Sequence, residues 1–235
     1  MSPMLLPLLL ATGFAVQPPG SFHGGEPVAT DGESWLGLRI DGDDAALVAT
    51  LVRVRPIEDL LADDPPGHLS GREVTSAQGD AIAMYLRGPG LRAGAIERAQ
   101  ALPDASATVT SMPDYTLDFR GQRHRIAAHC DAVPVAHVDG QAQFACRVVL
   151  DTAGRSQVLF ATSGYFEPGA TVPSLGDDAA PTLLFAGDLD RDGKLDLMFD
   201  NNDHYNVRPP TLYLSTQAAP GDLLGIAAQF ESVGC

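Results

Sequence analysis

The 235-residue chain holds 30 acidic and 15 basic residues, a formal net charge of −15. That balance argues against nucleic acid as a partner, because phosphate contacts need clustered Lys and Arg. The length supports a sizeable core, and 24 Gly with 18 Pro among short apolar runs argue against a helical bundle.

The chain opens with MSPMLLPLLLATGFAVQPPG. An apolar run from Met4 to Ala11, then the small residues Gly13 and Ala15, reads as a secretory signal with cleavage near Ala15. No Lys or Arg precedes Arg39, so only the terminal amine supplies positive charge there. The run is too short to span a bilayer, which takes about 20 apolar residues. No cysteine follows it to carry a lipid anchor. These features predict a signal peptide over 1–15, a flexible leader over 16–29, and a secreted or periplasmic protein without a membrane span.

Strand signals follow. SWLGLRI, the turn DGDD and AALVATLVRVR predict a hairpin around an Asp-Gly turn. In LVRVR, alternation sets Val52 and Val54 on one face and Arg53 and Arg55 on the other. AIAMYLRG predicts a further strand, and AGAIERAQAL, over 93–102, a short helix. From Ala107 a meander is expected. YTLDF and RHRIAAH flank the turn RGQ, and QFACRVVL and RSQVLFATS flank DTAG. PTLLFAG and KLDLMFD flank an acidic loop, and PTLYLS and GIAAQFE close the chain. The expected fold is mainly β: antiparallel hairpins in a sandwich, barrel or related arrangement. Its N-terminal β-rich region would cover 30–103 and its C-terminal meander 104–235, although one continuous unit fits equally well.

The cysteines are Cys130, Cys146 and Cys235, and no C-x-x-C pair exists to support a zinc knuckle or redox motif. Cys130 and Cys146 could bridge a hairpin, a closure worth about 3 kcal/mol. Cys235 could equally pair with either one.

Charge is concentrated late in the chain: between residues 177 and 206 stand eight Asp against Arg191 and Lys194, a local −6. Within GDLDRDGKLDLMFD, Asp188, Asp190, Asp192, Gly193, Lys194 and Asp196 occupy positions one, three, five, six, seven and nine of a D-x-D-x-D-G-x-x-D calcium loop. Calcium takes six to eight oxygens at about 2.3–2.6 Å, and short Asp side chains at alternate positions can converge on it. Glycine permits the bend, and position seven supplies its carbonyl, leaving the Lys194 side chain to solvent. The expected ligands are Asp188, Asp190, Asp192, the Lys194 carbonyl and Asp196, with Asp200 a further candidate. Position twelve, a bidentate Glu in an EF-hand, is Phe199, and the flanks read as strands. The absent Glu sets an expected affinity in the weak range, about 10⁻⁵–10⁻³ M.

FAGDLDRDGKLDLMFD followed by LYLS, about residues 182–216, resembles an integrin-type FG-GAP or VCBS-like repeat, in which such a loop joins two strands. The chain also resembles exported bacterial proteins with this C-terminal pattern, a likeness that supplies no activity. Such repeats form propeller blades in tandem, whereas this chain holds one copy. The resemblance implies a calcium loop on a β-hairpin.

Other motifs read as structural. Asp203 and His204 in DNNDHYN suit a polar turn better than an acid–base pair. His124 and His129, five apart on a strand, point to opposite faces and make no metal pair. RGPGLRAG matches G-x-G-x-x-A but contains Pro89 and lacks a following helix, so it reads as loop. No G-x-S-x-G, H-E-x-x-H or P-loop sequence occurs. The functional expectation is an exported, calcium-stabilised interaction protein, with a protein or glycan as its partner and no enzymatic activity. The alternatives are a secreted hydrolase with structural calcium and a carbohydrate-binding module, for which Trp35 would have to be exposed.

Overall fold

The computed structural model describes residues 13–59, 61–63, 67–79, 81–101, 113–138, 140–170, 174–175, 180–202 and 209–230. These form β1 (Ala15–Gln17), β2 (Gly20–Phe22), β3 (Ser34–Asp41), β4 (Asp44–Ile57), β5 (Gly71–Ser76), β6 (Met84–Arg87), β7 (Gly94–Arg98) and β8 (Gln100–Ala101). There follow β9 (Asp114–Phe119), β10 (Gln122–Val138), β11 (Gln141–Thr152), β12 (Arg155–Tyr165) and β13 (Ser174–Leu175). Last come β14 (Thr182–Asp188), β15 (Asp196–Asp200), β16 (Pro210–Leu214) and β17 (Gly225–Gln229).

One antiparallel sheet runs β1-β6-β3-β4-β7-β14-β15-β16-β17, with β5 on β4 and β2 on β5. It curls into a nearly closed barrel, and the second sheet, β13-β12-β11-β10-β9-β8, is a half-barrel. The mainly β expectation therefore holds, in its barrel form. Strands β14 to β17, expected in the C-terminal meander, share their sheet with β1 to β7. The expected boundary near 103 lies outside the described residues.

The turns follow their residues. β3 and β4 pair up to Asp41↔Asp44, with Gly42 at φ 57° in a two-residue loop. Arg120 (φ 55°) with Gly121 (φ 77°) closes β9–β10, and Ala153 (φ 45°) with Gly154 (φ 79°) closes β11–β12. Positive φ at both central residues matches the strands' own twist.

Two expectations change. Over its described residues, 93–101, the segment expected as a helix is extended: Ala45 pairs with Ile96, and Arg98 with Gly187, so β7 bridges β4 and β14. Ala, Glu, Arg and Gln favour a helix, but unpaired sheet edges on both sides outweigh that weak preference. β1 begins at Ala15, the last residue of the expected signal, and the rest of it lies with β2 in the expected leader. Val16 packs in the barrel core, and buried Gln17 accepts the N–H groups of Val28 and Ala29 at 2.8 and 3.3 Å. Residues 1–12 of the expected signal lie outside the described residues.

The core has two main compartments. Leu38, Leu47, Leu86, Phe185, Leu212 and Phe230 fill the barrel. Leu117, Ile126, Val148 and Leu150 of the half-barrel pack on the barrel's outer wall. β15 and β16 are that wall. Met198, Leu212 and Leu214 face inward, while Leu197, Phe199 and Tyr213 face the half-barrel. Every residue of both strands is buried. The loop entering β15 is therefore anchored between two apolar compartments. Cys130 and Cys146, directly paired across β10–β11, form a disulfide.

Candidate metal centre

The acidic loop runs from the last residue of β14, Asp188, to the first of β15, Asp196. The base of the hairpin is tight. At Gly187, opposite Asp196, a Cβ would lie 2.1 Å from the Glu97 carbonyl of β7, so only glycine lets β14 approach β7 there. Gly193 turns the loop at φ 88°, as position six requires.

Asp196 is fully buried. Its Oδ2 accepts the N–H groups of Leu189 (2.8 Å) and Asp190 (3.4 Å), and its Oδ1 accepts that of Ser215 (2.9 Å). Asp188 Oδ2 accepts Gly193 N–H at 2.9 Å and the Arg120 guanidinium at 3.3 Å. Asp190 accepts Asp192 N–H at 3.2 Å and the Thr216 hydroxyl at 2.6 Å. Asp192 accepts Lys194 N–H at 2.8 Å and the Ser215 hydroxyl at 2.6 Å.

Asp188, Asp190 and Asp196 converge: each presents a carboxylate oxygen within 4.8 Å of the others, and all three are buried. Asp192 is not in that group, being turned toward Ser215. The Lys194 side chain stays exposed, 3.9 Å from Asp192. Asp200 sits at the far end of β15, outside the converging group. Asp203 and His204 lie outside the described residues. Trp35 is buried under the Arg87 guanidinium and offers no stacking platform. His124 is buried and His129 exposed, on opposite faces as expected.

Sequence reasoning missed three contributors. Ser215 and Thr216, which follow β16, hold Asp192, Asp196 and Asp190, and the dipeptide after a strand was the only local signal. Arg120 comes from the β9–β10 turn, a tertiary contact with no local signal.

The electrostatics are unfavourable for the carboxylates alone. Burial pushes Asp196 up to about 7, helped by the charges of Asp190 and Asp192 and opposed by the N–H groups of Ser215 and Leu189. Burial also raises Asp188, with Gly193 N–H and Arg120 opposing. Arg191 gives no relief, since its guanidinium donates to the carbonyls of Ala95 and Arg92. Asp188 Oδ1 is buried, with no hydrogen-bond partner among the described residues. A buried, unpaired carboxylate oxygen among two more carboxylates is a poor arrangement without a cation and a good one with it.

Compared with known protein families, curated proteins and solved structures, the chain matches none of them significantly.

Proposed function

We propose that the protein is an exported calcium-binding protein in which the ion fastens the β14–β15 hairpin to the wall between barrel and half-barrel. The observation that carries this reading is the partnerless Asp188 Oδ1, buried where Asp190 and Asp196 converge. Oxygens up to 4.8 Å apart suit one ion about 2.3–2.6 Å from each. An all-oxygen, all-carboxylate set favours a hard cation over zinc or copper. Magnesium fits less well, because it demands a tight octahedron. The resemblance of 182–216 to a calcium-loop repeat agrees with this reading, and Asp192 and the Lys194 carbonyl would complete the set. Export is supported by the apolar N-terminal run and by the Cys130–Cys146 disulfide, since such bonds persist in oxidising compartments. The role that follows is an interaction protein of the cell surface or periplasm.

The test is thermal unfolding with and without calcium. Calcium at about a hundred times its dissociation constant should add about 2.7 kcal/mol, and Asp190→Ala should erase the gain. Identical melting curves would end the proposal.

A further inference from the structure

A cleft of about 490 Å³ opens beside the acidic loop, between the β9–β10 and β11–β12 hairpins and residues 215–224. Its size suits a small organic molecule. Its buried lining includes Phe119, His124, Leu150, Leu195 and Leu224, and its charged lining, all exposed, is Arg120, Arg155, Lys194 and Asp222.

Charge in this cleft runs against the rest of the molecule. Three cations line it against one acid, in a chain where acids outnumber bases two to one. Arg120 is committed to Glu97 and Asp188. Arg155 is not: its Nη2 donates to the Gly221 and Asp222 carbonyls at 3.0 Å, and among the described residues no carboxylate pairs with it. Those carbonyls fix the guanidinium without neutralising it. Among the described residues the Lys194 ammonium has only the long, exposed approach to Asp192. An adjoining depression of about 370 Å³ shares Arg155 and adds Arg123, Asp151 and Arg125, the last already paired with Asp114.

The lining also holds a polar group with nothing to bind. His124 is 6% exposed, and among the described residues neither ring nitrogen has a hydrogen-bond partner. Burial lowers its pKa against the opposing charge of Asp118, which favours the neutral ring, whose one N–H can donate. Buried polar atoms are rarely left unpaired, and each exception calls for a cause.

We propose that this cleft binds a small organic anion: a carboxylate group held by Arg155 and Lys194, and an apolar body lying on Leu150, Leu195 and Leu224 toward His124. The cleft abuts the metal centre: Gly193, Lys194 and Leu195 of the acidic loop line it, as do Arg120 and Ser215, which hold Asp188, Asp192 and Asp196 from the other side.

The test titrates ¹⁵N-labelled full-length protein, in excess calcium, with 2-naphthoate, 2-naphthol and 2-naphthylmethylammonium. Naphthoate should shift the amides of Thr152, Leu195 and Leu224 and the His124 ring saturably. Naphthol should bind about tenfold more weakly, the loss of one charge-assisted contact, and the ammonium not at all. Arg155→Gln should weaken naphthoate by a similar factor. Because that change also removes bonds to Gly221 and Asp222, Lys194→Gln, at an exposed side chain, provides a second reading and should weaken it severalfold. The proposal is overturned if naphthoate leaves these signals unmoved at low-millimolar concentration. It is equally overturned if the three probes bind alike, or if neither variant changes the naphthoate affinity.

Discussion

Asp196→Asn, examined in excess chelator, measures what the buried carboxylate charge does to the fold. Asp196 has an ordinary pKa of 3.8 and a folded value of about 7. The folded state therefore holds the proton more tightly than the unfolded state. The stability this supplies is fully present below about pH 4 and is lost as pH rises through about 7. The slope is about −1.4 kcal/mol per pH unit across that window, about 4 kcal/mol in all. Asparagine cannot ionise and carries no such slope. Its amide does meet an N–H of Ser215 or Leu189, but the hydroxyl of a protonated Asp196 meets the same conflict. The two proteins should thus differ little near pH 4. Between about pH 5 and pH 8 the variant should gain about 2–3 kcal/mol on the parent. Asp188 titrates in both proteins, so the difference isolates Asp196. Urea unfolding followed by fluorescence or circular dichroism at several pH values reads it directly. A difference independent of pH, or a variant that loses ground as pH rises, would refute the reasoning. Added calcium should reverse the order at neutral pH by stabilising the parent alone.

Three further outcomes follow from the packing. Phe199→Ala, at a ring fully buried against Tyr115 and Phe160, should cost about 3–5 kcal/mol in denaturant unfolding. Gly187→Ala should part β14 from β7 and cost more than about 1 kcal/mol, because its Cβ meets the Glu97 carbonyl; equal midpoints would count against that packing. Replacing Cys130 and Cys146 together by Ser should lower stability by about 3 kcal/mol, the closure entropy of a loop of this length, measured without reductant.

Three hairpins, β3–β4, β9–β10 and β11–β12, were legible from their turn residues, whereas the Asp139-Gly140 dipeptide between β10 and β11 went unread. Gly42, Gly121 and Gly154 sit in the tight turns their flanking strands implied. The convergence of Asp188, Asp190 and Asp196 was legible as well, because alternate positions of one short loop are brought together by local sequence. The strand over 94–98 was not, since its conformation is decided by β4 and β14, which lie far away in sequence. Nor were β1 and β2 visible behind a Pro- and Gly-rich composition. LMF in β15 reads as a strand, but that Met198 would enter one core and Phe199 another depends on how two sheets meet. Arg120, Ser215 and Thr216 escaped notice for the same reason. They reach the aspartates through the fold, and Asp192, which spacing groups with the others, is drawn aside by Ser215.

The account's central claim is tested most directly by locating the ion. Crystals grown with calcium and measured at long X-ray wavelength should show one anomalous peak among Asp188, Asp190 and Asp196, about 2.3–2.6 Å from an oxygen of each. A map with no peak there, and Asp188 Oδ1 bonded instead to water or protein, would contradict it.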